Sequence, residues 1–174
     1  MNYGASAPLV RNTMKHTLLT FSLAAAMTAV ATAQSQDVGM TMDGGLLTVI
    51  YGQACGAVGC TPLTGGNIAG GEARNLLLFG APQTFYALGI GNPAACVAIP
   101  GIDNTLLLQD ITVLDVGLQS APPFVPLPCQ QGTAGYTLTM PNVVPAGIVF
   151  RLQLIGVSSG GALAFGPALE VTTV

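Results

Sequence analysis

The stretch from Tyr136 to Val157, YTLTMPNVVPAGIVFRLQLIGV, constrains the fold more than any other part of the chain. In its second half apolar and polar side chains alternate, which is the period-2 pattern of a β-strand with one buried face. The side predicted to be buried carries Phe150, Leu152 and Leu154, and the other side carries Arg151 and Gln153.

The first half of this stretch has the same alternation, with Tyr136, Leu138 and Met140 on the predicted core side. Prolines and a glycine separate the halves, and residues of this kind do not occupy the centre of a β-ladder. The stretch therefore predicts two strands joined by a Pro/Gly turn.

Other segments rich in β-formers are separated by turn residues. The predicted strands are Leu46 to Tyr51, Arg74 to Phe79, Thr84 to Ile90, Cys96 to Ile99, Thr105 to Val116, Ala162 to Phe165 and Ala168 to Val174. Glycines make Thr61 to Gly71 irregular, and four prolines make Ala121 to Pro128 an edge or a loop. The segment Thr105 to Val116 does not alternate cleanly, which indicates a β-bulge near Gln109 or a bend, with a helix as the alternative.

About eight short strands with turn signals between them predict an all-β fold, a β-sandwich of immunoglobulin-like or jelly-roll type. A closed barrel is disfavoured because the strands are uneven in length. The apolar content of 51% and the charged content of 6% predict a neutral surface with few charges to oppose self-association.

The beginning of the chain has the pattern of a secretory signal peptide. Met14 to Ala33 has a basic start, an apolar run and the small residues Ala31-Thr32-Ala33, with cleavage expected after Ala33; a retained anchor is the alternative. The predicted organisation is a signal peptide with an N-terminal extension over 1–33, a polar lead-in over 34–45 and a β-sandwich domain over 46–174. No membrane span is predicted in the mature chain, and the expected location is secreted or cell-surface.

Residues 34–174 contain no His, Lys or Trp, and their two arginines, Arg74 and Arg151, face seven acidic residues. Nucleic acids and anionic membranes are bound by clustered basic side chains, so neither is an expected partner.

The four cysteines of the mature chain are Cys55, Cys60, Cys96 and Cys129. An even number in an exported chain predicts two disulfides, and Cys55–Cys60 with Cys96–Cys129 is the favoured one of three pairings. A zinc site is the rival hypothesis, but the spacing lacks a second close pair and residues 34–174 provide no His ligand.

Catalytic side chains are scarce in the mature chain. Nucleophilic mechanisms need an imidazole or an equivalent base, so Ser158-Ser159-Gly160-Gly161 is expected to be a turn. A glycosidase needs two carboxylates, for which the candidates are Glu72, Asp103, Asp110 and Asp115. None of these lies in a distinguishing motif, so no enzymatic activity is expected, with a small extracellular hydrolase as a remote alternative.

Calcium is the cofactor that the composition permits, although none is required. Its weak candidate ligands are Asp37, Asp43 and Asp103, which lie in Gly-rich or Asn-containing loops. The competing interpretation is that these side chains stabilise turns. Five aromatic residues are candidates for a glycan- or peptide-binding patch, although core is favoured for Tyr136: Tyr51, Phe85, Tyr86, Phe124 and Tyr136.

The signal peptide, the segment YGQACG and the ending RLQLIGVSSGGALAFGPALEVTTV together resemble uncharacterised exported bacterial β-domains. Such domains often begin with Tyr-Gly-x-x-Cys and end with a Leu-Gln strand followed by a Val/Thr-rich strand. The resemblance implies a secreted or cell-surface β-sandwich and brings no catalytic residue. Cys60, close behind Cys55, departs from the pattern and weakens the favoured pairing.

The leading hypothesis is a non-enzymatic structural or interaction domain whose partners are itself or cell-envelope components. The alternative is a carbohydrate-binding module, with or without calcium.

Overall fold

Alternating apolar side chains build two facing β-sheets in the computed structural model, which describes residues 36–44, 49–56, 58–121 and 132–174. Ten strands are present in these residues: β1 Gly39–Asp43, β2 Ile50–Gln53, β3 Leu63–Ile68, β4 Ala73–Gly80, β5 Phe85–Ala98, β6 Thr105–Leu118, β7 Gly132–Thr139, β8 Val149–Val157, β9 Leu163–Phe165 and β10 Leu169–Thr173. The prediction of an all-β sandwich is confirmed.

One sheet has four strands in the order β2-β1-β4-β7, and all its neighbours are antiparallel. The other sheet has six strands, with β3-β10-β8-β5-β6 in order and β9 paired to β8. Among the described strand pairs of this sheet, only β3–β10 is parallel. Within the same described ranges, no helix is long and apolar enough to cross a bilayer.

The core lies between the sheets and follows the period-2 pattern of the strands. The predicted core side of β8 is fully inside, because Leu152 and Leu154 have no exposed surface. From the opposite sheet come Met40, Met42, Leu76, Leu78 and Leu138. Full burial of one such side chain contributes about 1.5–3 kcal/mol to stability.

The two strands predicted within Tyr136 to Val157 do form, but they belong to different sheets. Strand β7 pairs with β4, whereas β8 pairs with β10, β5 and β9. The connection between them is therefore a crossing from one sheet to the other. Local alternation identifies each strand, but it does not encode the partner.

Two segments predicted to be irregular are strands. The polar lead-in over 34–45 contains β1, which lies between β2 and β4 and buries Met40 and Met42. Residues Thr61 to Gly71 contain β3, in which the glycines are needed for close packing. A Cβ at Gly65 would lie 2.6 Å from the side chain of Val171, where the register with β10 shifts.

Strand β5 is longer than predicted, because the two strands predicted at Thr84 to Ile90 and at Cys96 to Ile99 are parts of one 14-residue strand, Phe85–Ala98. Strand β6 is also 14 residues long. Its pairing with β5 shifts register at three places, and one of these lies between Ile90/Thr112 and Asn92/Gln109. The β-bulge predicted near Gln109 is thus confirmed, and the helical alternative for this segment is wrong.

The favoured cysteine pairing is wrong, because Cys60 is bonded to Cys96. This disulfide joins the segment just before β3 to the C-terminal part of β5, with the two Cα atoms 5.2 Å apart. Cys55 is also disulfide-bonded. Cys129, Phe124, the predicted edge or loop beyond Ala121, and the predicted signal peptide and extension over 1–33 lie outside the described residues.

We expect the double substitution Cys60→Ala/Cys96→Ala to lower the free energy of unfolding by about 4 kcal/mol on the chain-entropy model. The bond closes a loop with a sequence separation of 36, and its loss releases that loop in the unfolded chain. Denaturant unfolding measures the loss. Peptide mapping without reduction provides the control and should recover Cys60 linked to Cys96; recovery of Cys60 linked to Cys55 would contradict the assignment.

Candidate functional site

The outer face of the four-stranded sheet carries a row of polar side chains where β1, β4 and β7 meet, beside the exposed Leu77. The Asn75 amide donates to the Asp43 carboxylate at 2.9 Å, and the Thr137 hydroxyl donates to the Asn75 carbonyl at 3.0 Å. These side chains form a hydrogen-bonded row across the sheet. The polar groups of this row have hydrogen-bond partners in one another and in solvent, as expected for the outside of a β-sandwich.

The outer face of the six-stranded sheet is apolar over β5 and β6. Cross-strand pairing places Phe85 opposite Leu118 and Ala87 opposite Val116. Leu118 is 71% exposed, Val116 66% and Phe85 50%. Val113, opposite Gly89, continues the same surface. Contiguous exposed apolar surface of this kind marks sites of interaction with other molecules.

An apolar hollow of about 90 Å³ lies in this face, beside the exposed side chains. None of its nine lining residues is charged: Ala87, Gly89, Leu106, Leu108, Ile111, Val113, Gln153, Ile155 and Phe165. We call the hollow together with Phe85, Val116 and Leu118 the β5–β6 face.

The one polar side chain lining the hollow, Gln153, has its amide occupied by backbone groups. Its carbonyl oxygen accepts from the Leu107 N–H at 2.9 Å, and its NH2 donates to the Thr105 and Gly166 carbonyls at 2.8 and 3.0 Å. The saturated amide is buried, so Gln153 adds little polarity to the hollow. The sequence alternation predicted Gln153 to lie opposite the core, but not that it would be buried there.

Arg151, two residues before Gln153, fixes the end of the same sheet. Its guanidinium donates to both the Ala94 and the Leu107 carbonyls, at 3.0 and 3.1 Å, and forms two hydrogen bonds to one carboxylate oxygen of Glu170. Arginine's planar fork suits several acceptors at once. Arg151 therefore holds β5, β6 and β10 together where β5 extends beyond β8.

On the inner side of β6, Asp115 accepts a hydrogen bond from the Tyr86 hydroxyl at 2.6 Å. Gly117 provides the room for this ring, since a Cβ there would approach the Tyr86 hydroxyl to 3.0 Å. Burial, and then the hydrogen bond and negative charge of Asp115, raise the pKa of Tyr86 from 10.0 to about 12. The Tyr86–Asp115 hydrogen bond therefore links the side chains of β5 and β6.

The three calcium candidates are not brought together. Asp37 accepts a hydrogen bond from the Ser159 backbone, Asp43 accepts from Asn75, and the backbone of Asp103 bridges to β9. No group of three or more His, Cys, Asp or Glu side chains placed to hold a metal ion occurs in the described part of the chain. Cys60 and Cys96 are bonded to each other in a disulfide, so neither provides a thiolate ligand for zinc.

Three of the four carboxylates considered for hydrolysis have separate side-chain partners, and the fourth, Asp103, forms backbone hydrogen bonds to β9. Glu72 pairs with Arg74, Asp110 accepts from Asn92, and Asp115 accepts from Tyr86. The predicted turn at Ser158-Ser159-Gly160-Gly161 is confirmed, with the Gly161 N–H donating to the Ser158 carbonyl and the Ser158 N–H donating to Ala162.

The aromatic patch predicted from sequence does not form among the four members that the structure describes. Tyr86 is part of the core, and Tyr51 and Tyr136 pack against it, as expected for Tyr136. Phe85 alone of these four is strongly exposed, and it lies on the β5–β6 face. Sequence reasoning missed this face; the uneven apolar pattern of Thr105 to Val116 was its only signal.

The fold thus defines the chain as an all-β, disulfide-containing β-sandwich with a hydrogen-bonded polar row on the outside of one sheet and a contiguous apolar surface on the outside of the other. No family model matches the chain, and no curated protein sequence is detectably similar to it. The chain is structurally similar to a cellulose-active LPMO, CelS2, in complex with copper, at 14% identity and a TM-score of 0.39, covering 61% of this chain and 51% of that one.

Two further solved structures are similar over a comparable range. One is a chitin-binding domain from Burkholderia pseudomallei, at 13% identity and a TM-score of 0.38, covering 64% of this chain and 58% of that one. The other is an AA10 lytic polysaccharide monooxygenase from Streptomyces lividans, at 14% identity and a TM-score of 0.35, covering 61% and 57%. The chain spans little more than half the length of these proteins, and with TM-scores below 0.5 function is not assigned from any of them.

Burial is the largest cause of the raised pKa of Tyr86, and the hydrogen bond and charge of Asp115 add to it. We therefore expect Asp115→Asn to lower this pKa below its value of about 12, with the contribution of burial retained. Spectrophotometric titration of phenolate absorbance measures this shift. Because the folded pKa exceeds the unfolded one, the stabilisation from Tyr86 is fully present below pH 10 and is lost as the pH rises from about 10 to 12.

The matched control for this titration is Asp110→Asn on the same strand, which leaves the Tyr86–Asp115 bond intact. A phenolate titration equally altered by both substitutions would contradict the assignment of Asp115 as the partner.

Proposed function

We propose that this chain is an exported, non-enzymatic β-sandwich that associates with a second copy of itself through the β5–β6 face. The observation that carries the proposal is the contrast between the two outer surfaces, since one sheet presents a hydrogen-bonded polar row and the other an exposed apolar surface with a hollow. Leaving such a surface in water is costly unless a partner covers it.

A second copy suits this surface for two reasons. The hollow has no charged lining residue, so two copies of an acidic chain can meet there without opposing like charges. The face also carries both a projection and a recess: Phe85 and Leu118 protrude at one end, and the hollow beside Gly89 lies about 13 Å along β5 at about 3.3 Å per residue.

A two-fold axis through the β5–β6 face would insert the projecting side chains of each copy into the hollow of the other. This is the self-complementary arrangement that an isologous dimer requires. Covering Phe85 and Leu118 in this way contributes about 1–2 kcal/mol for each side chain.

The non-enzymatic part of the proposal is supported by the scarcity of catalytic side chains in residues 34–174. Residues 34–174 have neither His nor Lys, and three of the candidate carboxylates, Glu72, Asp110 and Asp115, engage separate partners. Export is supported by the signal-peptide pattern and by the Cys60–Cys96 disulfide, because such bonds persist in oxidising compartments.

We expect the full chain, exported through an oxidising compartment and purified, to form dimers in a concentration-dependent manner by sedimentation velocity. The substitution Val116→Glu should raise the dimer dissociation constant at least tenfold, about 1.4 kcal/mol, because association would bury an unpaired carboxylate. Val116 is 66% exposed, so the folded monomer should tolerate the change.

Leu77→Glu is the matched control, because Leu77 is 52% exposed on β4 of the other sheet. It introduces the same charge on the opposite side of the sandwich and should leave the dimer unchanged. A wild-type chain that remains monomeric at its highest soluble concentration would overturn self-association. If that monomer nevertheless co-sediments with the cell envelope, and Val116→Glu abolishes this, the partner is an envelope component.

A further inference from the structure

A second concave surface lies at the edge of the sandwich, between the bulged part of β5–β6 and the connection from β7 to β8. It is an open groove of about 340 Å³ that shares no lining residue with the hollow of the β5–β6 face. Its apolar part is formed by Ile90, Met140, Val144, Ile148 and Phe150. Asn92, Asp110 and Thr112 contribute polar side chains on the other wall.

The backbone at Asp110 is held in an unusual conformation. Its φ of 52° lies in the left-handed region, which non-glycine residues rarely adopt. The bulge imposes this geometry: β5 and β6 approach so closely here that a Cβ at Gly91 would lie 2.5 Å from the Gln109 carbonyl oxygen. Residues in such sparsely populated conformations are found at binding and catalytic sites more often than elsewhere.

The polar wall presents hydrogen-bonding groups side by side. The Asn92 amide donates to Oδ2 of Asp110 at 3.0 Å, which orients both side chains. Oδ1 of Asp110 and the amide oxygen of Asn92 can then accept further hydrogen bonds, and the second amide hydrogen of Asn92 can donate one. The Thr112 hydroxyl can do either. Asn92, Asp110 and Thr112 are all exposed to solvent.

These groups select the class of ligand. No lining residue of the groove is basic and Asp110 is acidic, so an anionic ligand is disfavoured. Vicinal hydroxyl groups both donate and accept, which matches a carboxylate beside an amide and a hydroxyl. The C–H surface of a sugar ring matches the apolar part of the groove, and a concave site with a few convergent polar groups is typical of small-molecule binding.

We propose that the groove binds a neutral polyhydroxyl ligand, a sugar unit of an uncharged glycan. The Asp110 carboxylate and the Asn92 amide hold adjacent hydroxyls, and Ile148 and Val144 pack against the ring. Because the groove and the β5–β6 face have separate linings, this site stands whether or not the chain self-associates.

The test uses the full exported chain, with soluble neutral tetramers of glucose and of N-acetylglucosamine as the probes. Titration followed by amide NMR should give saturable shifts at Ile90–Asn92 and Asp110–Thr112 with at least one tetramer. The absence of such shifts with both tetramers overturns the proposal. If calcium chloride shifts these amides and neither tetramer does, the groove binds a cation, and the assignment of a neutral polyhydroxyl ligand is wrong.

Asp110→Gly separates binding from folding. Glycine adopts a positive φ without strain, so the melting temperature should be unchanged or higher, whereas loss of the carboxylate should weaken tetramer binding at least tenfold. Gln83→Gly is the matched control, because Gln83 also has a positive φ, of 59°, and does not line the groove. This control should bind as the wild type does, and wild-type affinity in Asp110→Gly would overturn the role of Asp110.

Discussion

The packing of β8 between its neighbours is the constraint on which the rest of the structure depends. Its inner side chains, Leu152 and Leu154, are fully buried against the four-stranded sheet, and its backbone pairs with β5, β9 and β10. Its outer side chains, Arg151 and Gln153, are also largely buried, because they hydrogen-bond to carbonyls of the neighbouring strands. One strand thus supplies both the core contacts and the polar links that hold β5 and β6 in place.

Strand β6 distributes its residues between two surfaces. The bulge at Asp110 shifts the alternation, so that Asp110 and Thr112 line the groove while Ile111 and Val113 line the hollow of the β5–β6 face. A regular edge strand would offer a flat row of unpaired backbone groups to other chains. Register shifts and the positive φ of Asp110 interrupt that row, which disfavours strand addition at this edge.

The outer faces of the two sheets differ in how their polar side chains are hydrogen-bonded. Across β1, β4 and β7, polar side chains satisfy one another, whereas across β5 and β6 the only polar side chain at the hollow is saturated by backbone groups. A protein with so few charges has little electrostatic repulsion to prevent contact between copies. This asymmetry is the structural basis of the proposed self-association.

Much of the fold followed from sequence alone because side-chain alternation is a local property. The pattern at Phe150, Leu152 and Leu154 identified a half-buried strand, and the broken alternation around Gln109 identified the bulge. The absence of His and Lys from residues 34–174 is a matter of composition, and it limits the available chemistry whatever the fold. The glycines of β3 led to the wrong prediction of an irregular segment. The need for a small residue at Gly65 arises from Val171, which lies on a strand distant in sequence.

The sequence by itself therefore determined the all-β class, most strands and their buried sides, and the scarcity of catalytic groups. Only the tertiary structure decided that β7 and β8 belong to different sheets, that Cys60 joins Cys96, and that Asn92 meets Asp110 beside an apolar groove. The physical reason is that alternation depends on neighbours two residues apart, whereas strand order, disulfide partners and grooves depend on contacts between residues far apart in the chain.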